Sequence, residues 1–140
     1  MDTEQTATTK RWLVKEAEDL LEKVKEKPGF GDSRQGATSQ LRNLLQIAQQ
    51  ESEVPVLRNF IRYQTGRKAT QKFWKLICDD LIRVLAEIDA KPHLQKAADR
   101  KLAIQLFFGY MVRHYVYLHA MKNPAQGDDN PEEALSDGRS

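Results

Sequence analysis

Only one cysteine, Cys78, occurs in 140 residues, which removes any disulfide framework and any multi-cysteine zinc site. A reducing compartment, the cytoplasm, is the expectation. Strand signals are nearly absent too, with no sustained period-2 alternation and no Asn-Gly or Asp-Gly turn between β-branched runs. The chain also lacks a clean membrane span. Its best apolar stretch, Leu102 to Met121, contains Gln105, Arg113, His114 and His119, and Arg113 alone costs about 2.5 to 3.5 kcal/mol on insertion scales. Met1 to Thr9 is polar, with no apolar segment of the secretory kind.

Catalytic constellations are equally scarce. His114 and His119 lie five apart, diverging by roughly 140° around a helix, and with His93 they give no metal-ligand geometry. Gly29, Gly31 and Gly36 follow a helical pattern rather than a strand, so they spell no dinucleotide fingerprint. Gly66-Arg67-Lys68 lacks the rest of a phosphate loop. Asp79 and Asp80 are adjacent, point about 100° apart on a helix and fit ion pairing better than acid/base work. Cys78 reads as a small core hydrophobe. These readings point to a non-enzyme without cofactor, metal or small-molecule substrate.

What is present is helical spacing. The pattern predicts an all-α fold, a compact bundle of about five helices with a disordered acidic C-terminal tail. The first helix is expected over Thr9 to Lys27, with Leu13, Ala17, Leu20, Leu21 and Val24 on one stripe. Pro28 to Ala37 reads as a loop or linker. Thr38 is placed to cap a second helix over Ser39 to Glu51, and Pro55 to start a third that Gly66 stops. A fourth is expected over Ala69 to Ile88 and a fifth over Pro92 to Met121. The fifth is apolar nearly all round from Leu102 onward, as a central helix or one shared with a partner would be. Three parts follow: an acidic helix and loop over 1–37, a basic body over 38–121, and the tail over 122–140.

Charge separates the same parts. Residues 1–33 carry six Lys/Arg against eight Asp/Glu, residues 34–121 fourteen against seven, and residues 122–140 two against five. The basic excess thus belongs to the middle, a distribution suited to a polyanionic partner. Its steepest part holds Arg58, Arg62, Arg67, Lys68, Lys72 and Lys75 with no acid between them. Arg58 and Arg62 sit one turn apart, and Lys68, Lys72 and Lys75 repeat at i, i+4, i+7 opposite Phe73 and Ile77. Tyr63 and Trp74 stand among these cations, either as core side chains or as stacking surfaces. A solvated helix face is the competing reading of the same run.

Three segments carry a resemblance: TSQLRNLL at Thr38 to Leu45, NFIRYQTGRK at Asn59 to Lys68, and FFGYMVRHYVYLHA at Phe107 to Ala120. In order and spacing they resemble the small helical subunit of type III-A CRISPR effector complexes, over about Ala37 to Met121. The resemblance implies a non-catalytic RNA-binding subunit, present in several copies beside other subunits of a ribonucleoprotein, that contacts the backbone of guide RNA paired with target RNA. It places basic contacts at Arg42, Arg62, Arg67 and Arg113. The acidic first helix matches poorly in register, and the tail has no counterpart. A helical protein-interaction adaptor with an incidental basic face is the alternative class.

Overall fold

Asp2 starts the first helix. Its carboxylate accepts from the Gln5 backbone N–H at 2.7 Å, and the Gln5 side chain accepts from the Asp2 N–H at 3.0 Å, a reciprocal cap. The helix, α1 (Thr3–Glu22), therefore begins six residues before the expected Thr9 and ends five before Lys27. An apolar stripe marks only where a helix is buried, whereas the first turns here are held by the cap. Thr9 is buried inside the helix, its Oγ1 3.0 Å from His93 Nε2.

The remaining helices are α2 (Ala37–Ala48), α3 (Val54–Gly66), α4 (Gln71–Ala90) and α5 (Ala97–Lys122). This computed structural model describes residues 1–31, 37–67 and 71–122. The five helices confirm the all-α reading, and no strand occurs among the described residues. The expected disordered tail, from Asn123, lies outside them, as does Lys68. Lys122, assigned to that tail, instead belongs to α5, and its ammonium donates to the Lys25 carbonyl at 2.8 Å.

Two boundary expectations fail for local reasons. Thr38 is not a cap, because α2 already includes Ala37, which is buried. The fifth helix does not run unbroken from Pro92: a 3-10 turn, Pro92–Leu94, precedes α5. Gln95 fastens that break, donating through Nε2 to the carbonyls of Asp89 and Lys91 at 2.9 and 2.8 Å. Pro55, by contrast, occupies the first turn of α3 as expected, where its missing N–H costs nothing.

One continuous core contains Leu13, Leu21, Leu41, Leu57, Trp74, Leu81, Ile104 and Phe107. Through it α5 packs on α1 and α2, α3 packs on α4, and α4 touches both α1 and α5. The first helix thus shares the core of the basic body. α5 is the helix on which α1, α2 and α4 all pack, as expected of a central helix, yet it is not covered all round: Ile104, Phe108, Met111 and Tyr115 face inward, while Leu102, Val116, Tyr117 and Met121 are exposed.

Of the Pro28 stretch, the described part, residues 28–31, is a loop docked on the core. Phe30 is 1 % exposed, with its ring 5.0 Å from that of Tyr115 and 6.0 Å from that of Phe73. Tyr115 Oη donates to the Phe30 carbonyl at 2.6 Å. Gly29 makes the turn possible with φ +96°, and a Cβ there would lie 3.1 Å from Lys72 Cβ. No helix among the described residues is long and apolar enough to cross a membrane.

Candidate nucleic-acid interface

On α3 the inward stripe is Val54, Leu57, Ile61 and Gln64, which sets the direction of every other side chain. At about 100° per residue, Arg58 and Arg62 fall on one flank of the helix and Val56, Phe60 and Tyr63 on the other. Arg58 is half-buried and Arg62 exposed. Arg67, just past the helix end, goes to the second flank. Its guanidinium donates to Gln64 Oε1 at 3.2 Å and stands 5.7 Å from the centre of the Tyr63 ring.

The start of α4 continues the basic surface. Lys72 and Lys75 are exposed and lie opposite the stripe of Phe73, Ile77 and Leu81, as their spacing predicts. Lys68, the first of that triad, is outside the described residues. The other two expected contacts lie on other helices. Arg42 is on the outer side of α2, and Arg113 is exposed on the outward side of α5, its guanidinium 5.9 Å from the Tyr110 ring. The structure thus gathers Arg58, Arg62, Arg67, Lys72 and Lys75 on the α3/α4 pair and leaves Arg42 and Arg113 apart from it.

Carboxylates neutralise several of the cations elsewhere in the chain. Lys15 pairs with Asp19, Lys23 with Asp80, Lys25 with Glu22, Arg100 with Glu53, and Arg83 with Glu16, Asp80 and Glu87. His114 Nε2 lies 2.9 Å from Glu22 Oε2. The effect on titration is local. The Lys25 ammonium first, and His114 second, hold the Glu22 carboxyl below its ordinary 4.5, while Asp19 and Glu22 raise Lys15 and Lys25 above 10.5.

Arg58, Arg62, Arg67, Lys75 and Arg113 make no ion pair within the described residues. Lys10, Arg11, Lys27, Lys91, Lys96 and Lys101 share that lack, spread over other parts of the chain. Arg42 and Lys72 are engaged within the chain. A planar guanidinium without a carboxylate keeps its donors available for phosphate oxygens.

No family model, curated protein or solved structure matches this chain.

Two features of the site were not visible in sequence. Tyr63 and Trp74 look alike in the pattern, yet Trp74 is fully buried and Tyr63 is 60 % exposed. Helical register separates them: Tyr63 falls off the Leu57–Ile61–Gln64 stripe, whereas Trp74 precedes Ile77 and Leu81 by three and seven. Asp80 pairs with its i+3 neighbour Arg83, as spacing allows, but also with Lys23, 57 residues away, which no local spacing reveals. Among the described residues, no group of three His, Cys, Asp or Glu side chains converges as a metal site requires.

Proposed function

We propose that this chain is a non-catalytic small structural subunit of a type III CRISPR RNA-guided complex, working in the cytoplasm and touching the backbone of guide RNA and target RNA. The observation that carries the reading is the set of unneutralised cations on α3 and the start of α4, coinciding with the NFIRYQTGRK segment of the family resemblance. Arg58, Arg62, Arg67 and Lys75 supply charge that no ion pair within the described residues cancels, which favours sequence-independent phosphate contact. Lys68 and Lys72 extend the same run in sequence. Arg42 and Arg113, set on other helices, suit contacts made further along an RNA or with neighbouring subunits, further copies of this chain included.

The test is recovery of the chain from its native cell together with whatever it holds. A defined short RNA with several other subunits supports the proposal; a homo-oligomer without RNA overturns it. In vitro, log affinity for a single strand falls with log salt at a slope near −0.7 per phosphate neutralised, and an unchanged affinity from low to high salt counts against phosphate contact.

One feature favours the alternative of a protein-interaction adaptor. The outward side of α5 exposes Leu102, Val116, Tyr117 and Met121, between 39 and 63 % each, around Arg113. In a ribonucleoprotein subunit this side meets a neighbour while α3 meets RNA. In an adaptor it is the whole function, and charge reversal at Arg58 and Arg62 then leaves partner recovery unchanged.

A further inference from the structure

Arg62 and Tyr63 are consecutive, yet they descend opposite flanks of the outer crest of α3, about 100° apart. The crest between the flanks is low. Asn59 occupies it one turn earlier, and Gly66 ends it, where a Cβ would meet nothing within 4 Å. Gly66 has no positive φ to require glycine, the only positive-φ residue among those described being Gly29. Among the described residues nothing fills the space over Gly66, so the end of the crest is open to a partner.

The second flank is aromatic and held in place. The Phe60 and Tyr63 ring centres are 6.4 Å apart, and Phe60 packs partly against the core, so it backs the outer ring. Arg67 stands over Tyr63, while its bond to Gln64, which is 2 % exposed, ties that guanidinium to the body of the helix. Tyr63 itself remains 60 % exposed. Such exposure of a large ring gains nothing for folding. A supported ring with an Arg over it, and two further Arg on the facing flank, has the chemistry of a single-strand site: phosphates to the cations, a base stacked on the exposed ring and guanidinium.

We infer that Tyr63, with Phe60 beside it and the Arg67 guanidinium over its ring, forms a stacking platform for an unpaired nucleobase of single-stranded RNA whose phosphates run along Arg58 and Arg62. The inference rests on the RNA-binding reading above and deepens it, since phosphate contact alone needs no exposed ring. Charge complementarity selects the occupant: an apolar peptide matches Val56 and Tyr63 but leaves three arginines on and beside the same crest without partners. A stacked base also tolerates any sequence, because every base presents a π-face.

The experiment compares two probes of equal length and charge, a twelve-residue oligouridylate and the corresponding abasic ribose-phosphate oligomer, on the full chain at fixed salt. The wild type binds the oligouridylate more tightly. Tyr63→Ala weakens that binding roughly 5- to 150-fold and leaves the abasic oligomer and the salt slope unchanged, while Tyr63→Phe stays near wild type. The double variant Arg58→Glu, Arg62→Glu weakens both probes. Unaltered helicity of each variant by circular dichroism shows that the fold is retained. Equal wild-type affinity for the two probes, an equal loss on both for Tyr63→Ala, or a Tyr63→Phe defect as large as that of alanine overturns the platform while leaving phosphate contact standing. Binding of neither probe overturns both.

Discussion

Tyr115 Oη donates to the Phe30 carbonyl at 2.6 Å, joining residues 85 apart in sequence and closing the loop after α1 onto α5. The bond is buried, and the two rings also touch, with centroids 5.0 Å apart. Removing the donor leaves a carbonyl without its partner away from water. Tyr115→Phe keeps the ring and deletes only the hydroxyl, so it isolates that term. Urea unfolding is expected to show a loss of about 1 to 3 kcal/mol, the cost of a buried polar group left unsatisfied. A change below about 0.5 kcal/mol means the loop is held by its ring contacts alone.

Two glycines respond in opposite directions to alanine. Gly29 sits at φ +96° with Lys72 Cβ 3.1 Å from the position a Cβ would take. Gly29→Ala therefore costs about 1 to 2 kcal/mol in backbone strain, with the close contact added. Gly109 lies inside α5 with nothing within 4 Å of a would-be Cβ, so Gly109→Ala stabilises by roughly 0.5 to 1 kcal/mol. Melting temperatures of the two variants check both signs.

Arg113→Ala changes stability by no more than about 0.5 kcal/mol in urea unfolding, because the side chain is exposed and has no carboxylate to leave unpaired. Asp80, a candidate partner by sequence, already serves Lys23 and Arg83. A loss of about 3 to 5 kcal/mol, the mark of a broken buried pair, contradicts the placement.

The Glu22 contacts carry a pH signature of definite sign. Lys25 and His114 lower the folded-state pKa of Glu22 below 4.5. Its stabilising contribution is complete above the unfolded value and is lost as pH falls through the lowered folded value. The raised pKa of Lys25 acts oppositely, with its contribution complete below 10.5 and lost as pH rises through the folded value. A series of melting temperatures from pH 6 to 3 shows a steeper decline for wild type than for Glu22→Gln. Identical slopes remove Glu22 from the acid transition.

The fold was legible because each helix repeats its apolar residues at helical spacing, and Leu13, Leu41, Leu57, Ile77 and Ile104 all lie in the core. Leu45 and Phe60 are only half-buried, since a stripe in sequence fixes a direction and not a depth. The start of α1 escaped notice because Asp2 and Gln5 hold it through hydrogen bonds that leave no periodic trace. The docked loop escaped for the converse reason: glycine and proline around Phe30 mark a turn, while the pocket that receives its ring is built by Phe73 and Tyr115, far along the chain. At the candidate site, charge was visible at every position, whereas freedom from carboxylates depends on which helices meet.

The partnership of α1 with α5 has a temporal consequence. α1 packs chiefly on α5, which begins 75 residues after α1 ends. At synthesis rates of roughly 5 to 20 residues per second, the first helix leaves the ribosome about 4 to 15 seconds before its main packing surface is made. During that interval Leu13, Ala17, Leu20 and Leu21 have little of their final cover, while α3 and α4, adjacent in sequence, can already bury theirs against each other. The charged outer side of α1, with Lys15, Glu18, Asp19 and Glu22, keeps the waiting helix in water until the last helix arrives.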